Sequence, residues 1–259
     1  MFIDSHCHID FDDFAGQENE LLENMRTAEV THALCVSVNL RDWPRVHALA
    51  SRHDNLYASV GVHPDHEPDN AEVSEADLLA RAERPKIVAI GETGLDYYRL
   101  TGDLTWQRER FRTHIRAAKL CAKPLIIHTR SAAADTIAIM KEEEAGNAGG
   151  VMHCFTETWE VAKAALDLGF YISFSGIITF KSATDLREVV RQVPLERMLI
   201  ETDSPYLAPV PHRGKTNQPA YVKFVAQCVS DIKGVPIELV AETTSRNFFT
   251  LFHDADPKK

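Results

Sequence analysis

No apolar run in this chain approaches the ~18 residues needed to cross a bilayer, so a helical membrane protein is excluded. The first residues, Met1-Phe-Ile-Asp-Ser-His6, lack a basic region and reach an acidic side chain at Asp4, so they do not read as a secretory signal. Cysteine is sparse. Cys7, Cys35, Cys121, Cys154 and Cys228 are odd in number, scattered and without a C-x-x-C pair, which excludes a disulfide framework and points to a reduced cytoplasmic protein. Positive charge is also in deficit: 28 Lys and Arg face 38 Asp and Glu, for a net charge of −10. A sequence-blind DNA coat needs many cation–phosphate contacts and is excluded on that ground. Phosphate substrates are not excluded, because two bound divalent cations would outweigh the overall charge at a site.

Internal repeats, low-complexity tracts and composition breaks are absent as well. The 259 residues, 44% hydrophobic and 25% charged, therefore read as one globular domain over 1–253 with a frayed tail at 254–259. Eight short apolar or β-branched runs punctuate it: Met1–His8, Ala33–Val38, Leu56–His63, Lys86–Glu92, Pro124–Thr129, Gly150–Phe155, Phe170–Gly176 and Met198–Asp203. Helical periodicity fills the intervals. Phe111, Ile115, Ala118 and Ala122 share one face, and Ser182-x-x-Asp185 reads as a capping box ahead of the stripe Leu186, Val189, Val190 and Val193. Eight such units of about 32 residues are the size of a βα repeat, so the expected fold is α/β, a TIM (β/α)8 barrel, with a doubly wound open sheet as the fallback. Two polar loops are expected, at Pro64–Glu75 after strand three and at the proline-rich Ser204–Pro219 after strand eight.

Metal-competent residues stand at the C-terminal ends of these strands: His6 and His8 on the first, His63 on the third, Glu92 on the fourth, His128 on the fifth, His153 on the sixth and Asp203 on the eighth. In a barrel those ends share one mouth. His6 and His8 are two apart and project to the same side, which turns Cys7 outward as a small buried apolar residue; Cys154 is read the same way. Four histidines and two carboxylates suit a pair of divalent cations, with Zn, Mg, Mn, Ni and Co all candidates. Glu92 stands in Gly91-Glu-Thr-Gly94, where the glycines are expected to make a tight turn just past the strand. Glu201 shares a face with Asp203 and is a supporting partner or an extra ligand. Gly214-Lys215-Thr216 resembles the end of a P-loop, but Pro209 occupies the position of the required glycine. Arg213 and Lys215 nonetheless form a basic patch on the long loop and are candidate phosphate contacts.

Asp4-Ser-His6-Cys-His8, Gly61-Val-His63-Pro64, Gly91-Glu92-Thr-Gly-Leu-Asp96-Tyr-Tyr, Ile127-His128-Thr-Arg130, His153-Cys-Phe155, Glu201-Thr-Asp203-Ser-Pro205-Tyr and Leu207-Ala-Pro-Val-Pro-His212-Arg-Gly-Lys215 together resemble the signature blocks of TatD-type metal-dependent hydrolases, and especially their bacterial YcfH-like branch. The likeness runs from residue 2 to about Phe252. It implies an amidohydrolase-superfamily barrel with deoxyribonuclease activity. By that likeness His6, His8, Glu92 and Asp203 hold one divalent metal, Glu92, His128 and His153 hold a second, and His63 lies at the substrate. Two departures stand out: Thr216-Asn-Gln218-Pro replaces the family's frequent Arg-Asn-Glu-Pro, and Asp65-His66 occupies a variable position. Both bear on contacts to distal phosphates.

The expected activity is metal-dependent cleavage of phosphodiester bonds at DNA ends, with Asp203 taking a proton from water and His63 steadying the phosphate or leaving oxygen. Short or single-stranded DNA is the expected substrate, and the protein is expected to be a monomer with no obligate partner and no membrane association. Tyr97, Tyr98, Phe155 and Tyr206 follow strand ends and are candidates for base stacking or for loop packing. Two rivals are hydrolysis of an amide, lactone or aminoacyl ester, and a non-catalytic metal-binding protein. Glu92, in place of a carbamylated lysine, weighs against the first; the gap-free ligand set weighs against the second.

Overall fold

Eight strands pair in sequence order into one all-parallel sheet in the computed structural model of the chain, which describes residues 1–66 and 72–255. They are β1 (Phe2–Cys7), β2 (Val30–Cys35), β3 (Leu56–Val60), β4 (Ile87–Asp96), β5 (Leu125–Arg130), β6 (Gly150–Met152), β7 (Tyr171–Phe174) and β8 (Met198–Ile200). Helices α1 (Glu18–Thr27), α2 (Trp43–Arg52), α3 (Glu75–Ala82), α4 (Thr105–Cys121), α5 (Ala133–Glu142), α6 (Trp159–Asp167), α7 (Thr184–Gln192) and α8 (Val222–Lys233) follow the strands one for one, and α9 (Ile237–Leu251) is added at the end.

The two terminal strands meet. Asp203 N–H donates to His6 O and His8 N–H donates to Ser204 O, both at 2.9 Å, and Ser5 Oγ donates to Ile200 O at 3.0 Å. That seam closes the sheet into the expected (β/α)8 barrel. The order never reverses, so a doubly wound sheet with its topological switch point is ruled out. Ile3, Leu34, Tyr57, Val88, Ile126, Val151, Tyr171 and Leu199, one from each strand, cluster with Phe248 of α9 and Phe252 just past its end. They fill the barrel interior, as the layered cores of such barrels require. A second, larger cluster lies between strands and helices and includes Cys7, which is fully buried with its thiol toward Leu34 O.

Several local expectations are corrected. Strand β4 runs through Gly91–Gly94, so the glycines make no turn there; they sit where the strands press together. A Cβ on Gly94, whose φ is +133°, would meet His128 O at 2.0 Å, and one on Gly61 would meet the Gly91 backbone at 2.5 Å. The Ser182–Asp185 capping box does not form, because α7 starts at Thr184 with Ala183 as its cap; a capping box forms instead at Ser74–Asp77 on α3. Asp254 and Ala255, placed in the tail, belong to a short 3-10 turn in which Ala255 is buried, while 256–259 lie outside the described residues. Of the Pro64–Glu75 loop, 67–71 lie outside them too. No helix among the described residues is long and apolar enough to cross a membrane.

Candidate metal centre

Two bulges aim the ligand candidates. Between Asp4 and Cys7 three steps of β1 oppose two of β2, and between Ile90 and Thr93 three steps of β4 oppose two of β5. An extra residue reverses which side the following side chains face. Ile3 and Ser5 are interior, and past the bulge His6 and His8 are interior while Cys7 lies outside. The bulge in β4 does the same for Glu92.

Glu92 is 3% exposed and sits at the centre. Its Oε1 is 2.7 Å from His153 Nε2, 3.2 Å from His128 Nδ1 and 3.3 Å from His63 Nε2, and its Oε2 is 3.3 Å from His6 Nε2. Asp203 Oδ1 lies 3.5 Å from His8 Nε2 and 3.7 Å from His6 Nε2. The six expected side chains are therefore brought together. His63, expected at the substrate, stands among the donors: His63, Glu92 and His128 form one group that could hold a metal ion, and His6, His8 and Asp203 form another. His6, His153 and Glu201 form a third.

The donor set fits cations. Three imidazole nitrogens crowd one Glu92 oxygen, which has lone pairs for two donors at most. His6 Nδ1 and His153 Nε2 are buried without a hydrogen-bond partner, and His6 and His8 turn their Nε2 atoms toward each other at 3.3 Å. A cation held by the Nε2 atoms removes the crowding at Glu92, the facing of His6 and His8 and the isolation of His153 Nε2. The electrostatics agree. Burial alone would raise the Glu92 carboxyl, but His153, His63 and His128 hold it well below the usual carboxylate range. Burial likewise opposes ionisation of Asp203, and His8, His6 and His153 reverse it. Burial disfavours a charged His63, yet Glu92 and Asp65 pull it up to about 9. The anions thus draw positive charge into a dry site, and metals can supply it in place of protons.

Other side chains hold the ligands in place. His153 Nδ1 meets Glu201 Oε1 at 3.3 Å, and Glu201 also accepts the Cys154 N–H at 2.7 Å. His128 Nε2 faces Asp96 Oδ2 at 3.1 Å, and His63 Nδ1 is bonded to Asp65. Asp4, fully buried, accepts Thr202 N–H at 2.8 Å and pairs with the Thr202 hydroxyl, locking the backbone beside Asp203. Asp203 at φ +55° and Cys154 at φ +42° are both strained, as residues at functional sites often are. The sequence reading gave no role to Asp96 or Asp4 and noted Asp65 only as a variable position, although Asp4 interrupts an apolar strand. A further signal was missed on α4. Gln107, Arg110 and His114, spaced by three and four, form a buried polar stripe that holds the loop carrying His63, through Pro64 O, His63 O and Val62 N–H respectively.

The mouth is a cavity of about 600 Å3, lined by His8, Phe11, His63, Glu92, His128, His153 and Asp203 among others. Arg213 and Lys215 are not among its lining residues; Arg213 stacks over Phe180 at 3.7 Å and Lys215 is solvent-exposed. In the neighbouring Thr216–Pro219 segment, Asn217, the residue common to both patterns, and Gln218, one of the departures, hold the loop in place. Asn217 donates to Thr202 O at 2.9 Å and to Tyr206 O at 2.6 Å, and Gln218 accepts from Asn24 at 2.9 Å. Cys154, expected to be buried filler, lines the cavity. Of the four aromatic candidates Tyr206 lines it, Tyr98 is exposed, Phe155 is buried against Phe174 and Tyr97 bonds to Asp135.

A family model described as "TatD related DNase" matches residues 3–253. The uncharacterized metal-dependent hydrolase YcfH of Escherichia coli K12 is 47% identical over 256 residues, covering 98% of this chain and 96% of that protein. The crystal structure of YjjV, a TatD homolog from the same organism, superposes with a TM-score of 0.90 at 31% identity, covering 97% and 98% of the two chains. An uncharacterized amidohydrolase from Saccharomyces cerevisiae, at 19% identity, shares the fold with a TM-score of 0.81 over 96% of this chain and 99% of that one. The chain belongs to the TatD family of metal-dependent hydrolases.

Proposed function

We propose that this protein is a divalent-metal-dependent phosphodiesterase that acts on the ends of DNA, with short or single-stranded ends as its substrate. The position of Glu92 carries the reading: one buried carboxylate lies within 3.3 Å of nitrogens from His6, His63, His128 and His153, at the mouth of a cavity. His6, His8, Glu92 and Asp203 would hold one cation, and Glu92, His128 and His153 the second, with His63 beside it. Bound there, such cations polarise a phosphoryl oxygen and acidify water.

The side chains supply the rest. Asp203 is 17% exposed toward the cavity and held anionic, so its free oxygen accepts a proton from the attacking water. His63, fixed through Nδ1 by Asp65, presents Nε2 to the phosphate or leaving oxygen. Glu201 and Asp96 hold His153 and His128 at fixed orientations, which limits the reorganisation needed during reaction. A cavity of about 600 Å3 is in the size range of small-ligand sites, and a surface of net charge −10 does not track a long duplex. The family description "TatD related DNase" supports the same substrate class.

The test gives metal-stripped and metal-restored protein a 3′-labelled single strand, a small-amide panel and an aminoacyl-tRNA. The expected result is shortening of the oligonucleotide only with metal, with a loss of about 10²–10⁴-fold in kcat for Asp203→Asn. Equal turnover by Asp203→Asn and wild type, or turnover confined to the amides or the aminoacyl ester, overturns the reading.

A further inference from the structure

Among the described residues, four carboxylates line the mouth cavity, those of Asp65, Glu92, Asp96 and Asp203, and two guanidinium groups, those of Arg99 and Arg130. Two divalent cations would offset the carboxylates. The arginines then leave two positive charges in excess, in a chain whose net charge is −10. The cavity attracts anions while the surface around it does not extend that attraction.

Both arginines stand on one rigid platform. Arg130 ends β5, two residues past His128 and in register with Asp96 of β4. Its guanidinium lies 3.9 Å over the Tyr98 ring, a stacking that restricts rotation and leaves the N–H edges open to solvent. Arg99 is held by its Nε, 3.4 Å from Asp65 Oδ2, and Asp65 in turn holds His63. Asp96 joins the platform to the metal centre: Oδ1 accepts the Tyr98 and Arg99 N–H groups at 2.9 and 3.0 Å, and Oδ2 faces His128 Nε2. Tyr97 N–H donates to Arg130 O at 2.9 Å, closing the turn onto β5. Phe11 and Tyr206, edge-to-face at 70° with ring centroids 6.4 Å apart, also line the cavity and form an apolar corner whose ring faces can take a base.

We infer that Arg99 and Arg130 form an anion subsite that grips a phosphate next to the scissile one in a single-stranded nucleic acid, while Phe11 and Tyr206 take a base. This rests on the phosphodiesterase reading. Guanidinium forks match phosphate oxygens bidentately, and the fixed link to His128 and His63 sets the spacing between the two phosphates. The footprint is short, about two phosphates.

The experiment compares wild type, Arg99→Ala, Arg130→Ala and Arg130→Lys, all metal-loaded. One measurement is calorimetric titration with an unlabelled, phosphorothioate-linked thymidine trinucleotide across a salt series. The other is turnover of bis(4-nitrophenyl) phosphate, a diester with a single phosphate. For two phosphates on a single strand the expected slope of log K against log salt is about −1.4, of which the phosphate shared by Arg99 and Arg130 contributes about 0.7, so each alanine variant flattens the slope by a part of that, up to about 0.7. Each also weakens trinucleotide binding by about tenfold or more, the loss of a charge-assisted bond, while turnover of the small diester stays within about twofold. Arg130→Lys recovers the slope but not the full affinity. Unchanged trinucleotide affinity and slope in both alanine variants overturn the subsite, as does an equal loss on both substrates. If wild type does not turn over bis(4-nitrophenyl) phosphate but binds the trinucleotide with an arginine-dependent slope, the subsite stands and the phosphodiesterase reading falls. If it neither binds nor cleaves, both fall.

Discussion

Acid should loosen this protein through a histidine that never meets the metals. His114 on α4 is fully buried, donates from Nδ1 to Arg110 O at 2.8 Å and accepts the Val62 N–H on Nε2 at 3.0 Å, one residue before His63. Both nitrogens are committed to the neutral ring. Burial is the main reason its pKa falls from 6.5 to about 4. Because the folded value is depressed, the unfolded chain takes up the proton first. Stability is intact above 6.5, falls as pH drops from 6.5 to 4, and levels off below 4. At 1.36 kcal/mol per tenfold change in proton affinity, His114 alone costs about 3 kcal/mol between pH 7 and pH 4. Protonation also removes the acceptor for Val62 and so disturbs the loop that carries His63. The assay is urea unfolding of wild type and His114→Gln, both metal-stripped, at half-unit steps from pH 7 to pH 4. Glutamine retains a neutral acceptor and cannot titrate. At pH 7 wild type should be the more stable or equal, and the difference should move in favour of the variant by about 3 kcal/mol by pH 4. Parallel stability profiles would refute the assignment.

Gly94→Ala places a Cβ 2.0 Å from His128 O at a φ of +133°. Clash and strain together should cost about 3–5 kcal/mol, read as a lowered Tm with metal binding weakened in the folded fraction. Asp4, lifted to about 8 chiefly by burial, is largely protonated at pH 7. Asp4→Asn, which can accept from Thr202 N–H and donate to its hydroxyl, should therefore keep the Tm within a few degrees, whereas Asp4→Ala leaves Thr202 unpaired and should cost about 2–4 kcal/mol; equal losses in both would show that the carboxylate charge is what matters. Adding a divalent cation at 100 times its Kd to the stripped protein should raise stability by about 2.7 kcal/mol in a thermal melt, and the gain should shrink in Glu92→Gln. A melt that ignores added metal would remove the basis of the centre.

Much of the site was legible without coordinates. His6, His8, Glu92, His128, His153 and Asp203 stand at the ends of short apolar runs, and a run of alternating strands and helices has few ways to bury itself other than a barrel whose strand ends converge. Chemistry was legible for the same reason: unpaired carboxylates and imidazoles are too costly at the ends of buried strands to be there by default. The glycines of β4 were legible as special positions but not as to why. A glycine that permits a turn and one that admits a neighbouring backbone look alike until the neighbour is placed.

What the amino-acid order determined by itself is the alternation of elements and the types of group delivered to one end of them, because hydrophobic periodicity and strand length are local properties. Only the folded chain decided which groups face each other. The bulges in β1 and β4 reverse the facing of everything after them, and they arise from pairing with β2 and β5, not from any residue alone. Closure of β8 on β1 set Asp203 beside His6 and His8. The path of the long loop carried Arg213 onto Phe180 and away from the mouth, where the platform at the ends of β4 and β5 put Arg99 and Arg130. Charge in a sequence has sign but no direction; direction comes from the contacts that hold each side chain in place.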